Sequence, residues 1–388
     1  MNPLAAFYSR FRVAERILLT GHSHQAWPDE AFEGQQRAWL DAAELVDDKW
    51  EKAAAQARLV REGFARLLGD HADNIALGQN THELVTRWLS ALPLVQRPRI
   101  LSTDGEFHSL RRQLDRLAEE RVLSVVKVPA RPADSLADRL ATALTDDTAC
   151  VMVSSVLFET AEIVPGLDRL AVACERRGVQ LLVDAYHHLN VVPFDLDALG
   201  LAGAFVTGGG YKYCQLGEGN AFLRVPPGCM MRPVLTGWFA EFEALDDAPL
   251  AAVSYGRGAA AFAGATYDPT AHYRAAAVFA FHARQGLTAA RLHDVNRRQV
   301  ALLRQGIEAL DVAPGALRVE PMAEERRGGF VAIRAPRAAE LVSGLRRAGV
   351  YADARGQILR LGPAPYLDDG QLRDAVAALA VAARKDSA

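Results

Sequence analysis

Between residues 99 and 225, short apolar runs alternate with segments of helical length, and this alternation constrains the fold more than any other feature of the chain. The runs at 99–102, 122–128, 150–154 and 179–184 are rich in Val, Ile, Leu and Met, as strands buried on both faces are. Those at 203–207 and 221–225 continue the set. Helical patterns fall between them, at about 82–92, 108–119, 133–144 and 166–177. Strands alternating with such helices predict an α/β sheet covered on both sides. Ligands of such sheets sit beyond the carboxyl ends of the strands, so chemistry-bearing residues should follow strands directly.

The remainder is organised differently. An Ala-rich stretch from about 259 to 311 reads as mostly helical. Strand 329–334, helix 337–347, strand 357–361 and helix 369–384 read as a compact α+β unit, which the first forty residues are expected to join. The expected division is a large α/β domain over 45–265 and a small α+β domain from 1–44 and 266–388. The terminal Asp386-Ser387-Ala388 is expected to fray. With 50% hydrophobic and 23% charged residues, a 388-residue chain fills a large core, which excludes a mainly disordered protein. Lys and Arg number 44 against 47 acids, a net charge of −3 with no dense basic run. Neither nucleic acid nor an anionic membrane is therefore an expected partner. No apolar stretch reaches the ~18–20 residues that span a bilayer. Arg10, Arg12 and Glu15 interrupt the N-terminal segment where a signal peptide would be apolar. Cys150, Cys174, Cys214 and Cys229 form no CxxC pair, and a cytoplasmic location is expected.

Two strand ends carry chemistry. Asp184 follows the run at 179–184 and opens Asp184-Ala185-Tyr186-His187-His188. Lys212 lies in Gly208-Gly209-Gly210-Tyr211-Lys212-Tyr213, with Gly217-Glu218-Gly219 beyond it. An acid and a glycine-flanked lysine at neighbouring strand ends suit pyridoxal phosphate. The carboxylate would keep the pyridine nitrogen protonated and make the ring an electron sink. The lysine amine, partly desolvated, would attack the aldehyde, and glycines would let backbone approach a planar ligand. Alone, an Asp after a strand is more often a turn former and Gly-Gly-Gly a flexible loop; the ordered combination is far more specific.

These motifs resemble those of kynureninase, a member of the fold-type I, aminotransferase class V group of pyridoxal phosphate enzymes. The resemblance runs in order from about residue 17 to 375. Asn80-Thr81-His82-Glu83 is similar to the group's phosphate cup, which assigns Thr81, His82 and Glu83 to the cofactor through a helix N-terminus. Glu106-Phe107-His108-Ser109 resembles the segment whose aromatic ring, here Phe107, stacks on the pyridine. Thr236-Gly237-Trp238-Phe239 resembles a kynureninase turn, and Gly349–Arg355 and Arg360–Tyr366 resemble the family's last motifs. By that resemblance Arg360 grips the substrate α-carboxylate, for which a bidentate guanidinium is the natural partner. His187 assists the cofactor, Tyr211 serves the phosphate or the reacting proton, and Trp238, Asp268 and His22 belong to the substrate side. The competing reading of Arg360 is a surface arginine paired with Asp353 or Asp368.

Three departures concern the substrate end and one, at His82, the phosphate cup. Gly21-His22-Ser23-His24 stands where a Gly-Asn-Ser turn is usual, and Asp268 stands where an Asn is. His82 occupies a position where small or hydroxylic residues are common. Val46-Asp47-Asp48-Lys49-Trp50 offers no counterpart of the histidine that kynureninases set against the aryl ring. His22 and His24 suggest no metal, since no third ligand accompanies them, and no cysteine sits where desulfurases keep their reactive thiol. The resemblance implies a fold-type I protein: a large domain with a mostly parallel sheet, a small α+β domain, and a homodimer. It implies a hydrolase acting on an amino-acid substrate, cleaving a C–C bond beside a side-chain carbonyl and releasing alanine, with Lys212, Asp184 and Tyr211 as the catalytic groups. The alternatives are a class V aminotransferase, epimerase or β-lyase on another amino acid, or a silent member serving as a binding subunit. Retention of Lys212, Asp184 and Arg360 together argues against the last.

Overall fold

A computed structural model describes residues 2–245 and 252–384, so the tail at 386–388 lies outside the described residues. Seven strands form the main sheet: β2 (Ile75–Gly78), β3 (Arg99–Thr103), β4 (Ser124–Val128), β5 (Thr148–Ser154), β6 (Gln180–Asp184), β7 (Phe205–Gly209) and β8 (Ala221–Arg224). Their spatial order is β2-β8-β7-β6-β5-β3-β4. All pairings are parallel except those of β8, which runs against both β7 and β2.

Side-chain alternation along the strands splits the core into two layers. Leu101, Val151, Val153, Val183 and Val206 face one side with Phe64, Leu68, Leu140, Leu170 and Phe279. These last come from α2 (Lys49–Leu68), α5 (Leu136–Thr142), α6 (Leu167–Arg176) and α7 (Thr270–Arg284). Ile100, Cys150, Met152, Leu182 and Phe205 face the other side with Leu84, Trp88 and Leu110, from α3 (Thr81–Ser90) and α4 (His108–Glu119). Every residue of β5 is buried, as a strand covered on both faces requires.

A second core holds a four-stranded antiparallel sheet, in the order β12 (Asp353–Arg355), β13 (Ile358–Leu361), β10 (Val331–Arg334), β9 (Arg318–Val319). It is packed by α8 (Ala289–Glu308), α9 (Ala338–Arg347) and α10 (Asp369–Arg384). In the N-terminal segment, β1 (Ile17–Leu18) pairs in parallel with β11 (Val350–Tyr351), and Tyr8 and Leu19 are buried in the same cluster.

The sequence reading assigns no element to α1 (Glu30–Leu45), α2 or β2. α1 buries Ala31, Gly34 and Ala38, and α2 buries Ala53, Ala57, Gly63 and Phe64. A Cβ on Gly34 would meet the Tyr273 carbonyl oxygen at 2.7 Å, and one on Gly63 would meet the Phe279 ring at 2.3 Å. Both helices dock on α7 through glycine and alanine notches, and α1 buries no large apolar residue, whereas α2 also buries Val60, Phe64 and Leu68 at helical spacing. Arg326-Arg327-Gly328-Gly329 is another difference, because a solvated turn is the natural reading of such a run. Arg327 is buried, and the Arg326 guanidinium pairs with Asp134 and bonds the Ile163 carbonyl.

Candidate active site

The parallel strands end in register, which sets Ser154 on β5 beside Asp184 on β6 and Asp184 beside Thr207 on β7. A cavity of about 160 Å³ opens beyond these ends, lined by Thr81, Phe107, Ser154, Asp184, Tyr186, His187, Tyr211 and Lys212, with Phe158, Glu218 and Gly219 at its margins. Asp184 and Lys212, far apart in sequence, thus share one buried space.

Asp184 is held by its own turn, its Oδ1 accepting the Tyr186 amide at 2.8 Å. The Lys212 amine lies 2.6 Å from His187 Nε2 and is ringed by aromatic faces, at 4.7 Å from the Tyr186 centroid, 5.2 Å from Phe107 and 5.7 Å from Tyr211. Burial pushes the Asp184 carboxyl up and the Lys212 ammonium down, each opposed by the other's charge. A lysine in that state is readily deprotonated, as an attacking amine must be. Burial and the Lys212 charge hold His187 well below the usual imidazole range, so it is neutral and accepts from the ammonium. Tyr211 is raised by burial and by Asp184, so its hydroxyl keeps its proton. Its ring is stacked by His24 at 5.0 Å.

The donors present fit pyridoxal phosphate. Asp184 offers a carboxylate to the cavity, and the start of α3, whose first amides would receive a phosphate, lines it too. Thr81 Oγ1 and His187 Nδ1 are buried without a hydrogen-bond partner, the state of groups that await a ligand.

Not every expected residue reaches this space. His82 points to solvent from α3, while Gln79 and Asn80 line the cavity instead. The Glu83 amide bonds the Asn80 side chain at 3.0 Å, and its carboxylate turns to Arg87. Asp268 accepts the Thr270 amide at 2.9 Å as the turn into α7. Trp238 sits half-exposed against Phe239 and Phe242. His22 is fully buried behind the wall, 2.7 Å from Asp353 Oδ1. Arg360 is only 2% exposed, so it is no surface arginine, yet its partner is the Asp353 of the competing reading. One guanidinium nitrogen also bonds the carbonyl of Phe158, a cavity-wall residue, at 2.7 Å.

The three glycines differ from expectation as well. Gly208 and Gly209 are strand residues of β7. A Cβ on Gly208, Gly209 or Gly210 would strike Phe222, Tyr186 or Leu216 at 2.9, 2.2 and 2.6 Å. The protein's own side chains, not only a ligand, demand them. Sequence reasoning also missed Glu106, which is buried with Oε1 accepting from Thr103 (2.7 Å) and Oε2 from Ser154 (2.5 Å). Its place beside Phe107 was a signal, but the strand register that brings Ser154 to it was not readable.

Comparison with known proteins shows the family of this chain. A profile of the kynureninase C-terminal domain matches residues 295–379. The kynureninase of Deinococcus radiodurans is 30% identical over 353 residues, spanning 89% of this chain and 81% of that one. The chain belongs to the kynureninase-like, class V aminotransferase family. This family of enzymes is pyridoxal phosphate-dependent. The kynureninase-like chain is also 24% identical over 340 residues to the uncharacterized aminotransferase YcbU of Bacillus subtilis strain 168, covering 87% of each. A solved complex of the cystine C–S lyase C-DES with its product cysteine persulfide shares the fold, with a TM-score of 0.83 at 19% identity over 95% of this chain and 98% of the other. Among the described residues no helix is long and apolar enough to cross a membrane.

Proposed function

We propose that this enzyme is a hydrolase that cleaves a C–C bond beside the side-chain carbonyl of an amino acid and releases alanine. The observation that carries it is the Lys212 amine, desolvated and 2.6 Å from His187 in the cavity that also holds Asp184. The similarity to kynureninases supports the choice of hydrolysis.

Pyridoxal phosphate, when bound, supplies an aldehyde for amines and a ring that draws electrons from the substrate Cα. Asp184 would keep the pyridine nitrogen protonated. The start of α3, with Thr81, would hold the phosphate, and Phe107 would flank the ring. Lys212 takes the proton from Cα, with His187 accepting a hydrogen bond from the amine. Tyr211 keeps its own proton at neutral pH and can donate it beside Lys212. Arg360 grips the α-carboxylate, and the aromatic wall of Phe107, Phe158 and Tyr186 screens the amine from bulk solvent while one water enters as co-substrate, giving its hydroxyl to the released acid and its hydrogen to the alanine. His82, Glu83, Asp268 and Trp238 take no part in this account within one chain. Exposed Met230, Val234, Trp238 and Phe242 support a homodimer that covers that segment. The free thiols of all four cysteines accord with a cytoplasmic location.

One observation favours a second reading, transamination, epimerisation or β-elimination on another amino acid: His22, Trp238 and Asp268 do not line the cavity. Borohydride reduction of the cofactor-loaded protein and peptide mapping should place the pyridoxyl adduct on Lys212, and an adduct elsewhere refutes the assignment. Incubation with kynurenine-type aryl ketones should then release alanine and an aryl acid without a keto acid. Turnover that requires a keto acid selects the second reading.

A further inference from the structure

Arg360 is gripped from behind by Asp353, which is itself held by His22. Asp353 on β12 lies directly opposite Arg360 on β13 in the antiparallel register. Asp353 Oδ1 accepts from Arg360 Nε at 2.9 Å, and Oδ2 accepts from Arg360 Nη2 at 2.5 Å. The same Oδ1 is 2.7 Å from His22 Nε2, delivered by the N-terminal segment. Burial lowers the His22 imidazole to about 4, so it is neutral, and its bond to a carboxylate puts the proton on Nε2. Burial alone would raise Asp353, but His22 and Arg360 overrule it and hold the carboxyl well below its usual range.

His22 has no room to turn. Its ring lies 4.7 Å from Phe330, and a Cβ on Gly362 would sit 2.4 Å from its Nδ1. The neighbouring strand and two segments distant in sequence therefore lock one guanidinium. Of the five N–H groups of an arginine, Asp353 takes two and the Phe158 carbonyl takes one. One N–H remains on each terminal nitrogen.

We propose that Asp353, clamped by His22, is the positioning residue that fixes Arg360, and thereby makes the site select amino acids with an α-carboxylate over the corresponding amines. The inference rests on the reading that Arg360 receives that carboxylate. A loose arginine spreads its two free donors over many rotamers, whereas a locked one meets the carboxylate without that ordering cost.

The test uses cofactor-loaded protein and two probes, L-alanine and ethylamine, which differ by the carboxylate. Each is titrated while the visible spectrum of the cofactor is followed. The wild type should bind L-alanine more tightly than ethylamine, and Arg360→Ala should abolish the preference. Asp353→Asn should weaken L-alanine binding roughly 10- to 100-fold, the scale of a disturbed charged hydrogen bond, and leave ethylamine unchanged. His22→Gln, which keeps an N–H donor and serves if Asp353→Asn misfolds, should weaken L-alanine less and ethylamine not at all. If Arg360→Ala keeps the preference, the carboxylate reading falls and the proposal with it. If Arg360→Ala loses it while Asp353→Asn and His22→Gln keep it within twofold, only the proposal falls. Equal losses for both probes would make the pair structural and overturn it too.

Discussion

Replacing Gly209 with alanine tests how the site is built. The backbone there needs no left-handed conformation, so the effect is steric. The new methyl would lie 2.2 Å from Tyr186 Oη and 2.5 Å from Cζ, where ordinary contact begins at 3.4 Å. Tyr186 cannot yield freely, because its ring packs against Tyr211 at 4.9 Å and flanks the Lys212 amine at 4.7 Å. Overpacking of this kind costs about 1–3 kcal/mol. At ~2 cal/mol/K per residue, a chain of this length should melt about 1–4 °C lower. Scanning calorimetry on Gly209→Ala, Tyr186→Ala and the double variant measures the effect. Once Tyr186 is truncated, the added methyl should cost under about 0.5 kcal/mol, because the two sites interact only through the clash. Gly203→Ala, with nothing within 4 Å, is the neutral control. An equal cost with and without the Tyr186 ring would refute the steric argument.

Two further outcomes follow from the same geometry. Burial raises the Glu106 carboxyl to about 7, whereas unfolded it titrates near ~4.3. The native chain thus holds a proton there that the unfolded chain has released. That contribution is full below about pH 4 and is lost as pH rises through about 7. Denaturant unfolding from pH 5 to 8 should show Glu106→Gln gaining stability relative to the wild type as pH rises, and a constant difference would contradict it. Thr81→Val should weaken retention of pyridoxal phosphate roughly 5- to 10-fold for one lost hydrogen bond, while exposed His82→Ala should leave it within twofold. Equilibrium dialysis of the cofactor compares them, and the reverse order would remove Thr81 from the phosphate site.

The alternation of apolar runs determined much about this protein by itself. β5 and β6 are apolar on both faces, and only a sheet covered on both sides accommodates them, so the α/β class was readable without coordinates. Asp184 and Lys212 were legible because each follows a strand directly, and parallel strands bring their carboxyl ends to one edge. Helices α4 and α10 match their sequence bounds, α4 burying Leu110 and Leu114 and α10 burying Leu372, Val376 and Leu379 among its alanines. α1 escaped notice because its buried face is mostly alanine and glycine, whereas the Val60, Phe64 and Leu68 stripe of α2 was there to be read.

Tertiary structure alone decided which neighbours of those motifs face the cavity. On α3, Thr81 and His82 are adjacent in sequence, yet a step of about 100° around the helix buries one and exposes the other. Glu106 meets Ser154 only through the alignment of separate strands, and His22 meets Asp353 only because β1 pairs with β11. Local pattern fixes what a segment becomes, since propensity and periodicity act over a few residues. Which side chains converge on a reacting centre depends on register and packing between distant segments, which no local pattern encodes.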